Sequence, residues 1–188
     1  RFTCEFKYDG ERTQIHMLED GTVKVWDLRA PPNCKKTFAC TNEKGESVAV
    51  NSACLRKGGD EIISGDDSGA VRVWDVTADK CRETLRPTDG APIRAVACAT
   101  DRSFLACATR DADVYVYRPD ESDAHELDHI IEAAHDAGGE RTYILACRVS
   151  PDSRLLVTTA SDKTAKIRNA ARGFPLEKTL AQHQRWVW

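Results

Sequence analysis

The chain has 188 residues, 41% hydrophobic and 30% charged, which suits a globular fold of one domain or two small ones. A formal net charge of -3 leaves no surplus of Lys and Arg to neutralise phosphates, which excludes nucleic acid or an anionic membrane as a general partner. No apolar run approaches the ~18 residues of a membrane-spanning helix, so direct membrane insertion is excluded as well.

In chain order, the first predicted strands are FTCEF (2–6), a less regular RTQIHML (12–18), VKVWD (23–27) and KKTF (35–38), with KYDG and EDGT as turns. The same layout returns as VNSACL (50–55), EIISG (61–65), VRVWD (71–75) and CRETL (81–85). It returns again as IRAVAC (93–98), SFLACAT (103–109), VYVYR (114–118) and DHII (128–131). A fourth copy runs through YILACRV (143–149), RLLVTTA (154–160), AKIRN (165–169) and LEKTL (176–180). Branched and aromatic residues fill these runs because they fit a pleated, half-buried surface, while Gly, Asp, Ser and Asn supply the turns between them. From 26 to 74, 74 to 117 and 117 to 168, the aromatic position of the third strand advances by 48, 43 and 51 residues. WD repeats run ~40–45 residues, so loop insertions account for the excess.

A four-stranded antiparallel unit of this size cannot bury both faces alone, so neighbours must stack on it. The expected fold is all-β, a WD-repeat β-propeller: an incomplete arc of about four blades plus the start of a fifth. The expected repeats cover residues 1–46, 47–90, 91–134 and 135–182, with the next beginning at 183–188. Cys4, Cys54, Cys98 and Cys147 fall in strand segments and no C-x-x-C pair occurs, so the eight cysteines read as small core residues in a reducing compartment.

One motif points elsewhere. His125-Glu126-Leu127-Asp128-His129 matches the H-E-x-x-H of zinc proteases, in which two histidines one helical turn apart hold the metal and the Glu acts as base. The local sequence permits a helix, with Leu127, Ile130, Ile131 and Ala134 on one stripe. However, the segment occupies the place where every other repeat puts a fourth strand. A strand without metal is therefore expected, and a zinc hydrolase using His125, Glu126 and His129 is the less favoured alternative. No P-loop, G-x-S-x-G or G-x-G-x-x-G occurs, so no catalytic residue, cofactor or metal site is assigned.

The third strands and their turns resemble WD repeats, and the resemblance implies a blade network. A His before the first strand, a Ser or Thr on the second, an Asp in the next turn and a Trp on the third bond to one another. The residues placed in it are Asp20 and Trp26, Ser64 and Trp74, Asp111 and Tyr117, and His135, Thr158 and Asp162, with His183 opening a further copy. His16, Ser68, Cys107 and Arg168 stand where the pattern has another residue, and the Arg168 head is expected to reach solvent or Asp162. EDGTVKVWDLR (19–29), GDDSGAVRVWDV (65–76), residues 141–167 and above all PLEKTLAQHQRWVW (175–188) resemble a narrower family, the Gβ-like, lethal-with-SEC-thirteen subunits of target-of-rapamycin (TOR) kinase complexes. That family has seven blades, so this chain reads as an interior portion, whose open arc is expected to be insoluble or molten if expressed alone. The resemblance implies a cytoplasmic scaffold, peripheral on endomembranes through its complex, that binds the TOR kinase catalytic domain and other complex subunits in growth control and actin regulation. Its contact residues are expected at Trp186 and Trp188, on one side of a strand, with Tyr143 and Arg141 nearby. A different WD-repeat adaptor is the alternative.

Overall fold

In a computed structural model the backbone is described for residues 2–8, 11–18, 20–27, 34–56, 58–136, 138 and 142–187; side chains are described for the same residues except 2–8, 11–14, 27, 34 and 35. Among the described residues, sixteen strands form four separate four-stranded meanders. The first sheet holds β1 (Phe2–Tyr8), β2 (Glu11–Met17), β3 (Thr22–Asp27) and β4 (Cys34–Ala39). The second holds β5 (Val50–Leu55), β6 (Glu61–Asp66), β7 (Val71–Asp75) and β8 (Lys80–Leu85). The third holds β9 (Ile93–Cys98), β10 (Leu105–Thr109), β11 (Val114–Pro119) and β12 (His125–Ile131). The fourth holds β13 (Ile144–Val149), β14 (Leu155–Ala160), β15 (Ala165–Asn169) and β16 (Leu176–Leu180). Every pairing is antiparallel between consecutive strands, so each sheet is a blade closed by short turns.

The core lies between blades rather than within them. Among the described residues three apolar clusters fill the three interfaces, and the period-2 alternation of the middle strands of the second and third blades feeds two of them. Ile62 joins Ile15, Val23 and Phe38 against the first sheet, whereas Ile63 joins Ile93, Val96 and Leu105 against the third. Likewise Leu105 and Cys107 face the second sheet, while Ala106 and Ala108 pack with Ile144, Cys147 and Leu156 of the fourth. The interfaces are tight. A Cβ on Gly65 of β6 would stand 2.3 Å from Ile93 Cγ2, so only glycine lets these blades approach. Gly69, at φ +80°, turns between β6 and β7, and a Cβ there would meet the Ala91 carbonyl oxygen at 2.9 Å, so this turn also lies close against the lead into the third blade.

Two bulges recur, one in all four blades and one in the last three. The third strand shifts register against the fourth at Val25/Trp26, Val73/Trp74, Val116/Tyr117 and Ile167/Arg168, always at the aromatic position of the repeat. A second shift, near the start of the first strand, leaves Asn51, Arg94 and Leu145 as the extra residues of β5, β9 and β13. β5 packs on β9 and β9 on β13, so these first strands converge and their bulges gather at one end. Residues 181–187 carry no strand; the tail is tied by the Val187 amide to the Ala160 carbonyl at 3.3 Å.

Candidate interaction surface

The blade networks set how rigidly the rim is held. In the fourth blade the buried His135 places Nδ1 2.9 Å from Asp162 Oδ2 and 3.1 Å from Thr164 Oγ1, and Nε2 2.8 Å from Thr158 Oγ1. A carboxylate only accepts, which assigns the proton to Nδ1 and makes Nε2 the acceptor for the Thr158 hydroxyl. Burial pushes the His135 pKa down, against the pull of Asp162. Burial acts to raise the Asp162 pKa, but hydrogen bonds from Thr164 and His135 outweigh it and hold the carboxyl low. Of the two places expected for the Arg168 head, solvent or Asp162, Asp162 is not reached; the residue is partly open to solvent. Its guanidinium lies 3.4 Å from the Phe174 and Ala134 carbonyls, its Nε is buried with no acceptor among the described residues, and burial lowers its pKa.

The other blades keep only parts of the pattern. Trp74 Nε1 donates to Ser64 Oγ at 2.8 Å, with Cys40 Sγ 3.9 Å away in the place of the His. The turn acceptor of that blade is Asp66, which binds the Ser68 amide and hydroxyl and pairs with Arg72, itself bonded to the Thr41 carbonyl. Cys40, Asp66 and Arg72 were missed because Cys40 lies far from the WD marker and Asp66 sits two residues before the expected position. In the first blade Asp20 caps Thr22, the His16 and Trp26 rings lie 5.7 Å apart, and Trp26 Nε1 finds no acceptor among the described residues. In the third blade Asp111 is exposed and takes no part in such a network among the described residues; Asp113 instead accepts the Ala133 amide at 2.8 Å, while Cys107 and Tyr117 are simply buried. His183 is exposed.

At the end where the first strands begin lies a groove of about 350 Å³, lined by Asp67, Pro92, Arg94, Arg110, Tyr143, Leu145 and Trp186. Tyr143 and Trp186 therefore share one surface. Arg141 and Trp188 lie outside the described residues. The expected strand alignment of the two tryptophans is not what presents Trp186, since residues 181–187 run without strand structure and lay it, 53% exposed, over the groove. Arg94 and Leu145 reach it because they are bulge residues, a device that re-aims side chains at a strand end. Asp67 is held by Asn51 Nδ2 at 2.7 Å. The groove thus combines two guanidinium groups with an aromatic pair. Sequence reasoning missed Arg94, Arg110 and Pro92, although the place of Pro92 and Arg94 at the start of β9 and of Arg110 just after β10 was readable.

The H-E-x-x-H segment is β12, and its histidines point apart. Asp128 is the extra residue of the third–fourth strand bulge, so the alternation reverses between His125 and His129. His125 is buried toward the second blade, where Nδ1 meets Glu83 Oε2 at 2.6 Å and Nε2 meets Arg56 Nη2 at 2.8 Å. His129 faces the other way and stacks on Phe174 at 5.8 Å. Arg56 can only donate, which fixes His125 as the neutral Nδ1–H form. Around this contact Arg82 bridges Glu61 (2.6 Å) and Asp123 (2.5 Å), and Arg102 pairs with Asp60, giving the second and third blades an ionic junction. Among the described residues no His, Cys, Asp and Glu group is arranged to hold a metal.

The WD domain, G-beta repeat family matches residues 33–75 and 133–169. The chain is 34% identical to a Drosophila pseudoobscura pseudoobscura protein named Protein LST8 homolog, over 90% of this chain and 51% of that one. It is 38% identical to Target of rapamycin complex subunit LST8-1 of Arabidopsis thaliana, over 98% of this chain and 56% of that one. Identity is also 38% to an Arabidopsis thaliana protein named Non-functional target of rapamycin complex subunit LST8-2, over 97% and 55%. The chain spans about half the length of the curated relatives it matches. Among solved structures, a chain in the Crystal Structure of Mitotic Checkpoint Complex aligns with a TM-score of 0.73 at 18% identity, over 94% of this chain and 48% of that chain. This last likeness is one of fold.

Proposed function

We propose that the chain, whose residues 33–75 and 133–169 match WD, G-beta repeats, is a WD-repeat protein that serves as a non-catalytic subunit of a TOR complex, docking on the TOR kinase catalytic domain. The observation that carries the reading is the groove that sets Tyr143 and Trp186 beside Arg94 and Arg110. Stacked blades hold the groove walls rigid, so a partner meets a preorganised surface and little ordering cost is lost on binding. Aromatic and Arg side chains are the residue types that dominate protein interfaces, because they combine large apolar area with directed polar groups. The two guanidinium groups select a partner segment with a carboxylate next to an apolar side chain. One relative of equal identity is named as non-functional, so likeness alone does not carry the role and the groove has to. No helix among the described residues is long and apolar enough to cross a membrane, and the proposed place of action is the cytoplasm, with any membrane association made through the complex.

The test is affinity purification of the tagged protein from its own cells, followed by mass spectrometry. TOR kinase peptides are expected with the parent sequence. Trp186→Ala and the pair Arg94→Glu and Arg110→Glu each weaken recovery, at ~2 kcal/mol by about thirtyfold, without changing thermal stability. Recovery of a different assembly with no TOR kinase would assign the chain to another WD-repeat adaptor role.

A further inference from the structure

Cys54 and Cys98 occupy neighbouring blades, yet their Sγ atoms lie 3.6 Å apart, with the Cys54 S–H directed at Cys98. The strands that carry them, β5 and β9, are held side by side by three further contacts. Asn51 Nδ2 donates to the Ile93 carbonyl at 3.0 Å, the Val96 amide donates to Ser52 Oγ at 3.1 Å, and Cys98 Sγ approaches the Leu55 carbonyl at 3.8 Å. Cys54 is buried, whereas Cys98 is partly open to solvent. Both thiols are free.

We infer that Cys54 and Cys98 form a thiol–disulfide switch across the junction of the second and third blades, closed by a hydroperoxide and reopened by thiol reductants. The two residues divide the work by environment. The Cys54 S–H and then, against burial, the Arg56 guanidinium favour the Cys98 thiolate and lower its pKa; the same hydrogen bond and burial raise that of Cys54. The accessible, thiolate-prone Cys98 is therefore the attacking sulfur, and the buried Cys54 resolves it. In the first step the Cys98 thiolate attacks one peroxide oxygen, the O–O bond breaks, and hydroxide leaves, giving Cys98 sulfenic acid. In the second, the Cys54 sulfur attacks Cys98 sulfur, the S–O bond breaks, and the departing hydroxide takes the Cys54 proton as water. Two thiols lose two electrons and two protons, and hydrogen peroxide becomes two waters. A disulfide needs sulfurs ~2.05 Å apart, so closure draws β5 and β9 together at the blade junction that also carries Arg56, His125 and Glu83. In a reducing compartment such a bond is transient, which is the behaviour of a switch rather than a staple.

The test treats the purified protein with hydrogen peroxide, blocks remaining thiols with N-ethylmaleimide, and maps peptides by mass spectrometry without reduction. A Cys54–Cys98 linked peptide that dithiothreitol abolishes is expected. Cys54→Ser should strand the sulfenic acid, raising dimedone labelling of Cys98 several-fold. Cys98→Ser should leave Cys54 unlabelled and unlinked. The exposed Cys81 is the internal standard: full oxidation of Cys81 before any change at Cys98, or overoxidation of Cys98 without linkage in the parent protein, overturns the inference. Should either serine variant fail to fold, the linkage map of the parent protein decides alone.

Discussion

Replacing Arg168 by Trp is expected to stabilise the protein, and the second blade supplies the measure. There Trp74 lies opposite Ile62 and donates to Ser64, which lies opposite Arg72. In the fourth blade Arg168 lies opposite Leu156, and Thr158 lies opposite Lys166, which is the same offset. The Arg168→Trp indole would therefore point its Nε1–H at the Thr158 hydroxyl, whose proton already goes to His135 Nε2 and whose lone pairs are open to accept. The new bond contributes about 1 kcal/mol, and removing a buried Nε without an acceptor contributes ~1–3 kcal/mol. Against this stand two contacts to carbonyls at 3.4 Å, too long to offset much. The net gain is ~2 kcal/mol, or an increase in Tm of about 4–8 °C for a chain of this size. Calorimetry would read the Tm, and a double-mutant cycle with Thr158→Val would isolate the bond, the Trp losing ~1 kcal/mol of its benefit in that background. An unchanged or lower Tm would refute the reasoning. A gain of equal size in the Thr158→Val background would mean that packing alone, and not the hydrogen bond, is responsible.

Three other outcomes follow from the geometry. Because the His135 pKa is lowered on folding, below pH ~6.5 the unfolded chain binds the proton first, so stability contributed by this residue is present above that pH and lost as pH falls toward its folded value. Asp162, Lys166 and Arg168 are the charged groups around it, and urea unfolding at pH 7.5 and 5.5 should differ less in His135→Asn than in the parent protein. Arg56→Ala removes the buried donor to His125 Nε2 and one ion-pair partner of Glu61, which keeps Arg82, and is expected to cost ~1–3 kcal/mol by chemical denaturation; a loss below ~1 kcal/mol would show that the junction contributes only packing. His125→Ala should destabilise the protein through Glu83 and Arg56 while His129→Ala does little, and purified protein should carry no stoichiometric zinc; metal lost in the double variant would restore the hydrolase reading.

Period and pattern settled the architecture from sequence alone. Most described strands lie where the β-branched runs place them, because such side chains fit a pleated, half-buried surface; β12 is an exception, starting at His125, three residues before the expected 128–131. The His135, Thr158 and Asp162 contacts and the Trp74–Ser64 bond were also implied by the resemblance to WD repeats, since each lies within one repeat. What only the tertiary structure decided lies between repeats or at bulges. An extra residue at Asp128 turns His125 and His129 to opposite faces, and no composition rule foretells a one-residue bulge. The Arg94–Arg110–Tyr143–Trp186 groove, the Arg56 junction and the Cys54–Cys98 approach each join residues more than 40 positions apart or on different blades. Sequence specifies each blade through local alternation, but the rotation of one blade on the next follows from how residues such as Gly65 and Ile93 interlock, and that exists only once the blades are stacked.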